Sequence, residues 1–259
     1  MSTFLFDEII FGPVRSRRLG ISLGINLLPN HSKICNFNCI YCECGWTPGV
    51  LPDFNNFHPR KNIETALHTR LKIMRDKDEL LNSITFAGNG EPTMHPDFEG
   101  IINDTINARN MYFPETRVAV LSNSTLIQKN SVFKALQKVD DAIMKLDSVF
   151  EKTIKFLNQP TEHFSINETI ENLKKFNGDF ILQTMFIKGY NNDFEIDNTQ
   201  STELEAWLKL LPEINPRLIM IYTIARDTPI KTLEKIPLSE LNIIASRVKK
   251  SGFNVQVSG

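Results

Sequence analysis

Short apolar runs alternate with helical patterns along most of the chain, and few folds accept such an order. The runs are rich in β-branched residues, and most neighbouring pairs are separated by one amphipathic helical pattern. They lie at residues 22–28, 83–87, 117–121, 142–146, 180–187, 217–224 and 253–257. Strands that alternate with helices pair in parallel through right-handed crossovers. The order predicts an α/β fold, best as a partial (β/α)6-type barrel of parallel strands, with an open doubly wound sheet as the alternative.

Helix boundaries are marked by capping and stop residues. Ser165 and Glu168 form a capping-box pattern, and Thr202 with Glu205 repeats it. Pro212 is expected to end the second of these helices, because proline removes a helical N–H group. Ser239 is expected to begin the last helix.

The length and composition indicate one domain. The chain has 259 residues, of which 41% are hydrophobic, and β/α barrels of about 250 residues commonly form a single unit. We therefore expect residues 1–259 to form one domain, with 1–21 as an N-terminal lead-in and 29–62 as a functional loop. No apolar run approaches the roughly 20 residues of a membrane span, and the first residues lack a signal-peptide pattern. The expectation is a cytoplasmic monomer without a membrane partner.

The balance of charge argues against a general affinity for nucleic acid. Lys and Arg number 29, Asp and Glu number 30, and the formal net charge is -1, so no global positive field attracts phosphates. Two arrangements are open for Arg15, Arg17, Arg18 and Lys33. They form a local patch that binds tRNA, or they instead brace the barrel mouth or bind a carboxylate.

All four cysteines lie between residues 35 and 44, which is a poor distribution for disulfides in a chain of this length. Cys35, Cys39 and Cys42 are spaced so that three thiolates from one loop can bind three irons of a cubic cluster. The alternatives are zinc, for which no second Cys or His pair exists, and a catalytic Cys-x-x-Cys pair. A cluster or metal is the favoured interpretation, and Cys44 is expected to be a free thiol.

The pattern Cys-x3-Cys-x-aromatic-Cys after the first predicted strand resembles the radical S-adenosylmethionine (radical SAM) superfamily. The resemblance implies that Cys35, Cys39 and Cys42 hold a [4Fe-4S] cluster whose fourth iron binds S-adenosylmethionine. It also implies reductive cleavage of S-adenosylmethionine to a 5′-deoxyadenosyl radical, which abstracts a hydrogen atom from the substrate. An electron donor such as flavodoxin or ferredoxin is expected as a partner.

Further residues are assigned to the cofactor site by the same resemblance. The segment Gly88-Asn-Gly-Glu-Pro is similar to the family's Gly-Gly-Glu-Pro segment, which binds the ammonium group of S-adenosylmethionine. Polar residues after later strands are placed where the family binds the ribose and the methionine carboxylate. Gln183 is an unpaired amide in an apolar strand, which indicates a buried hydrogen bond or a contact with ligand in the lumen. The expected cofactor-binding residues are Tyr41, Gly88, Gly90, Glu91, Ser122, Asn123, Lys145, Asp147, Gln183 and Tyr222.

The N-terminal segment from Phe11 to Pro29, together with the cysteine loop, resembles the branch of the superfamily near the wyosine-forming tRNA enzymes. Those enzymes carry a second cluster and a basic surface, whereas this chain has one spare cysteine and a slightly acidic balance. A small-molecule or peptide substrate is therefore favoured over tRNA. The alternatives are a tRNA-modifying enzyme and a non-catalytic module that holds zinc or a closed cluster.

Overall fold

A computed structural model gives the positions of residues 4–49 and 57–259. Residues 1–3 of the predicted lead-in and 50–56 of the predicted functional loop lie outside the described residues. The strands are β1 Ile10–Ser16, β2 Gly20–Ile25, β3 Ser83–Phe86, β4 Arg117–Ser122, β5 Asp141–Lys145, β6 Ile181–Met185, β7 Ile187–Asn191, β8 Phe194–Asp197, β9 Leu218–Tyr222, β10 Leu233–Lys235 and β11 Val255–Ser258. The α-helices are α1 Arg60–Asp76, α2 Phe98–Tyr112, α3 Asn130–Leu136, α4 Glu151–Leu157, α5 Ile166–Lys174, α6 Ser201–Ile214 and α7 Leu238–Lys250.

The main sheet confirms the predicted α/β half-barrel. Its strands follow the order β1-β2-β3-β4-β5-β6-β9-β11, and every neighbouring pair after β1-β2 is parallel. The sheet is curled, so one face is convex and the other is concave. The carboxyl ends of its parallel strands therefore meet at one edge, where ligands collect in folds of this kind.

Apolar side chains divide between the two faces of the curled sheet. The convex face and the helices around it contain the large core, with Ile84, Phe86 and Val120 fully buried. The concave face carries a much smaller apolar cluster. Its buried members are Ala119, Ile143, Ile181 and Met220, and Leu19 packs against them. Above this cluster the concave face becomes polar, and the candidate site lies there.

The predicted lead-in over residues 1–21 contains a strand that the sequence pattern did not reveal. Strand β1 pairs antiparallel with β2 through a bulge between Phe11 and Val14, and this irregularity interrupts the alternation that identifies a strand. The predicted run at 180–187 also divides, because β6 ends at Met185 and β7 begins at Ile187. Strand β7 leaves the main sheet and forms a small antiparallel sheet of order β10-β7-β8.

Two helix boundaries differ from the sequence expectation. The Ser165 hydroxyl caps α5 by accepting from the Glu168 amide at 3.3 Å, as predicted. Thr202 is not a cap, because α6 begins one residue before it and lies after Gln200. Pro212 does not end α6, since the helix continues to Ile214, whose burial on the core side stabilises the last turn. Helix α7 begins at Leu238, one residue before the predicted Ser239, and α4 was not predicted. No helix among the described residues is long and apolar enough to cross a membrane.

The loop after β2 is clamped to the carboxyl edge of the sheet by backbone hydrogen bonds. The Ile34 amide donates to the Asn89 carbonyl at 2.8 Å, and the Glu91 amide donates to the Ile34 carbonyl at 3.0 Å. Gly90 has a φ of 140°, and a Cβ at that position would lie 1.7 Å from the Ile34 carbonyl oxygen. Only glycine fits between the two backbones.

A second contact holds the same loop from the opposite side. The Asn38 amide donates to the Asn158 carbonyl at 2.8 Å, and the Ile40 amide donates to the Leu157 carbonyl at 3.0 Å. Phe37 also forms an isolated bridge with Pro160. The cysteine segment is therefore held between the β3 end and the segment after α4.

Gly90→Ala should lower the free energy of unfolding by about 2 kcal/mol or more, because the new Cβ must displace the Ile34 backbone and adopt a disfavoured φ. Gly49→Ala is the matched control, since a Cβ there meets nothing within 4 Å. Urea unfolding followed by circular dichroism measures both. Equal stability of the two variants would contradict the clamp.

Candidate active site

The three predicted cluster ligands lie together in the clamped loop and face hydrogen-bond donors. Cys35 and Cys39 are buried, and Cys42 is partly buried. The Cys35 sulfur accepts from the Phe37 amide at 3.4 Å and from the Asn123 side chain at 3.7 Å. The Cys39 sulfur accepts from the Asn158 side chain at 3.4 Å. Donors that point at sulfur stabilise thiolate ligands.

Lys33 supplies a buried positive charge beside these sulfurs. It is only 2% exposed, and its Nζ donates to the Gly45 carbonyl at 3.0 Å. Burial lowers the pKa of Lys33, but the neighbouring cysteine thiolates raise it by more, so the net pKa is raised. The ammonium group thus offsets part of the negative charge that the thiolates bring into the loop.

Cys44 lies beside Cys42, and its thiol donates to the Gly88 carbonyl at 3.4 Å. The hydrogen bond from Cys44 lowers the pKa of Cys42 to about 6, with Lys33 contributing in the same direction. Burial raises the pKa values of Cys35 and Cys39. Metal binding displaces the protons of such thiols.

The donor set, three cysteine thiols in one loop, is of the kind that an iron–sulfur cluster takes. Within residues 4–49 and 57–259, no three His, Cys, Asp or Glu side chains converge closely enough to hold one ion. A zinc site requires all of its sulfurs at about 2.3 Å from one centre, whereas each cysteine of a cubic cluster binds its own iron. Hydrogen-bond donors that face the sulfurs and restricted solvent exposure set the reduction potential of such a cluster.

Glu91 is a buried carboxylate that joins the ends of β3 and β4. Its Oε1 accepts from the Thr93 amide at 3.1 Å, the Thr93 hydroxyl at 2.5 Å and the Ser122 hydroxyl at 3.0 Å. Among the described residues, its Oε2 accepts from the Asn123 amide alone, at 2.6 Å. A carboxylate oxygen has two acceptor positions, so Oε2 retains one. Burial raises the pKa of Glu91, while these hydrogen bonds oppose that increase.

Asn89 explains why the glycine-rich segment departs from the family's usual pattern. Its side chain is fully buried, accepts from the Phe6 amide at 2.8 Å, and donates to the carbonyls of Phe6 and Pro29. The amide side chain therefore ties the N-terminal segment to the edge of the sheet. The flanking Gly88 and Gly90 keep the backbone accessible to a close neighbour.

Asp147 connects the cysteine loop to the end of β5. Its carboxylate forms an ion pair with Lys145 at 3.1 Å and accepts from the Met185 amide at 2.9 Å. The Tyr41 hydroxyl donates to the same carboxylate, and the Asn158 side chain donates to it at 2.8 Å. Asp147 therefore holds Tyr41 and Asn158 in place from the sheet side.

Asn158 was not anticipated from the sequence. It contacts Cys39, Tyr41 and Asp147 at once, and its Oδ1 is buried without a hydrogen-bond partner among the described residues. Asn158 follows α4, a helix with no recognisable sequence signature, and no motif marks it. The one contact residue of the site that was not anticipated thus follows a helix that was not predicted.

Gln183 and Tyr222 lie on the concave face, as expected for lumen residues. Lys145, Gln183 and Met220 are aligned across β5, β6 and β9. Gln183 is buried, and the side-chain hydrogen bonds of the described residues include none from its amide. Lys145 donates to the Tyr222 hydroxyl at 3.0 Å. These positions place the side chains in the lumen, and their roles toward the cofactor stay predictions.

The four cations of the predicted basic patch do not share a surface. Lys33 is buried in the cysteine loop, and Arg17 donates to the Gly259 carbonyl at 2.9 Å. The Arg18 guanidinium lies over the Tyr222 ring, 4.6 Å from its centroid, whereas Arg15 is exposed. The four cations therefore do not form one patch, and the bracing role of the arginines stays a prediction.

Comparison with known proteins identifies the family. The model of the radical SAM superfamily matches residues 29–197, which include the cysteines and the Glu91 segment. Among curated relatives, "GTPase Obg" of Brachyspira hyodysenteriae is 30% identical over 228 residues, which are 85% of this chain and 30% of that protein. The 7-carboxy-7-deazaguanine synthase of Archaeoglobus fulgidus is 27% identical over 201 residues, 74% of this chain and 83% of that protein.

Solved structures with the same fold include other radical SAM proteins. A radical SAM methyltransferase from Sphaerobacter thermophilus has a TM-score of 0.67 at 13% identity, over 92% of this chain and 65% of that one. Streptococcus suis SuiB bound to precursor peptide SuiA has a TM-score of 0.63 at 17% identity, over 91% and 48%. This chain thus spans between about a third and two thirds of the first relatives it matches. The match over the cysteines and most of the half-barrel shows that the chain belongs to the radical SAM superfamily.

Proposed function

We propose that this protein is a radical SAM enzyme that acts on a small-molecule or peptide substrate, with a [4Fe-4S] cluster held by Cys35, Cys39 and Cys42. The observation that carries the proposal is the clamp, which holds the three cysteines beside Gly88–Glu91 at the carboxyl edge of the half-barrel. The concave face beyond them presents polar groups such as Lys145 and Gln183 toward a substrate.

When bound, the cluster and S-adenosylmethionine supply reductive cleavage to a 5′-deoxyadenosyl radical. The chain's own residues bind and orient these groups and shield them from water. Phe37, Asn123 and Asn158 donate to the sulfurs, and hydrogen bonds of this kind tune a cluster's reduction potential. Burial of the cysteine loop excludes water from the reacting groups.

Glu91 supports the placement of the cofactor's ammonium group. It is a buried carboxylate, and the ion pairs of the described residues do not include it. A buried charge without a counterion is costly, and the free acceptor position on Oε2 can receive an N–H donor. An ammonium group bound there supplies both the charge and the hydrogen bond.

The substrate class rests on charge and on the relatives. The A. fulgidus relative is named for the synthesis of a modified base, and SuiB has been crystallised with a peptide. Both are consistent with a substrate smaller than a folded nucleic acid. The proposal also includes a one-electron donor such as flavodoxin or ferredoxin, which reduces the cluster, and a monomeric protein.

Cys35→Ala, Cys39→Ala and Cys42→Ala should each abolish cluster binding and deoxyadenosine formation, because each thiolate binds one iron. Cys44→Ala is the matched control and should retain about four irons per chain, since three thiolates suffice. Iron analysis, the electronic spectrum after anaerobic reconstitution and deoxyadenosine assay measure the effects. Loss of the cluster in Cys44→Ala would favour a closed, four-cysteine module instead.

Glu91→Gln should weaken S-adenosylmethionine binding about tenfold or more, because it removes a charged acceptor for the ammonium group. Glu99→Gln is the control, since the ion pair that Glu99 forms within the described part of the chain is with Lys138, away from the site. Calorimetric titration with S-adenosylmethionine gives both dissociation constants, and the melting temperature and iron content verify that the variant is folded. Unchanged affinity would assign the ammonium to another acceptor.

Bulk tRNA should bind weakly and with little dependence on salt, because the candidate cations do not form one patch. A gel-shift series between about 50 and 200 mM salt tests this, since each phosphate contact contributes about 0.7 to 0.9 to the slope of log affinity against log salt. Tight binding with a slope of several units would support the alternative, a tRNA-modifying enzyme.

A further inference from the structure

Arg18 reaches the lumen from the turn between β1 and β2. Its guanidinium carbon lies 4.6 Å from the centroid of the Tyr222 ring, and its backbone carbonyl accepts from the Gln256 side chain at 3.2 Å. The next residue, Leu19, packs on the apolar cluster of the concave face. Contacts of both Arg18 and Leu19 therefore hold the turn against the lumen, and these contacts set the direction of the Arg18 side chain.

The Arg18 guanidinium has unused hydrogen-bonding capacity. Its NH1 atom is buried without a hydrogen-bond partner, and no acidic side chain of the described residues pairs with Arg18. A guanidinium carries five donors and stays charged at all relevant pH values. Leaving such a donor buried and unpaired is costly, so the position favours an incoming acceptor.

Lys145, the neighbouring cation, is already paired. It forms an ion pair with Asp147 at 3.1 Å and donates to the Tyr222 hydroxyl at 3.0 Å. Its Nζ lies 4.9 Å from the ring of Tyr41 in the cysteine loop. Lys145 thus lies at the hydroxyl end of Tyr222 on the side of the cysteines, while Arg18 covers the face of the ring. Arg18 is left as the unmatched charge.

A second unpaired group lies on the same face. The Gln183 amide makes no hydrogen bond within the described residues, and it is in register with Met220, whose other neighbour is Gln256. The lumen therefore presents a guanidinium fork over the Tyr222 ring and the Gln183 carboxamide, both without a hydrogen-bond partner within the described residues. Planar forks of this kind bind carboxylate and phosphate through paired hydrogen bonds.

We propose that Arg18 binds an anionic group of the substrate, a carboxylate or a phosphate, and so selects an anionic substrate. The inference rests on the proposed radical SAM function, because that function makes the lumen a substrate site. Arg18 is a specificity-determining residue in this proposal, and the hydrogen atom removed lies elsewhere on the same molecule.

The test is calorimetric titration of the reconstituted full chain with two probes, inorganic phosphate and succinate, at constant ionic strength. The wild type should bind at least one of them, and which one binds identifies the anion. Arg18→Gln should weaken that binding about tenfold or more, because a charge-assisted hydrogen-bond pair is lost. Arg18→Lys should weaken the binding of the probe by a smaller factor, since lysine keeps the positive charge but lacks the planar pair of N–H donors.

Arg15→Gln is the matched control, because Arg15 is exposed on the same hairpin and its removal changes the net charge equally. It should bind the probe as the wild type does. Circular dichroism and the melting temperature verify that each variant is folded. The inference would be overturned if Arg18→Gln bound the probe as tightly as the wild type does. It would also be overturned if Arg15→Gln lost as much affinity as Arg18→Gln, or if the wild type bound neither probe.

A competition titration separates the substrate from the cofactor. The probe should bind the wild type equally well when S-adenosylmethionine is saturating, because Arg18 then serves a separate subsite. Displacement of the probe by S-adenosylmethionine would assign Arg18 to the cofactor's own carboxylate and overturn the inference. Failure of the wild type to form deoxyadenosine would refute the proposed function instead, and the probe titration does not depend on that reaction.

Discussion

Two backbone hydrogen bonds at Ile34 are the constraint on which the site depends. They join the cysteine loop to the segment between β3 and the 3-10 helix at Pro92–Met94, and they place the sulfurs beside Gly88 and Glu91. A loop without its own secondary structure gains a defined position by pairing with a strand end. The required approach is so close that the residue opposite Ile34 must be glycine. The Gly-Asn-Gly-Glu segment thus has a structural role that is independent of any ligand.

The parallel strands and the cysteine site could be predicted from the sequence because their signals are local. Buried parallel strands are continuous apolar runs, and every predicted run overlaps a strand of the structure. The spacing of three thiols within eight residues also indicates that they bind a metal cluster. Contacts such as Ser122 and Asn123 with Glu91 follow from the same logic, since the ends of neighbouring parallel strands meet at one edge.

The rest could not be predicted, because it depends on contacts between distant segments. Strand β1 is interrupted by a bulge, and β8 and β10 exist only by pairing with β7. Asn158 reaches Cys39 across 119 residues of sequence. Lys33 looked like one of several surface cations, yet it is buried beside sulfurs whose negative charge stabilises it. Sequence proximity to Arg17 and Arg18 was misleading, since strand β2 lies between them and Lys33 and Lys33 directly precedes the clamped Ile34.

Two groups of the site have no counterion among the described residues, and they have opposite signs. Glu91 is a buried anion near the cysteine loop, and Arg18 is a partly buried cation over the Tyr222 ring. Each lowers the stability of the protein without ligand, because desolvation is not offset by a partner. Other charged groups nearby, such as Lys145 and Asp147, are paired. The two groups without a counterion lie where ligands are expected to bind. Residues that lower the stability of a fold in this way are expected at functional sites, where function takes precedence over stability.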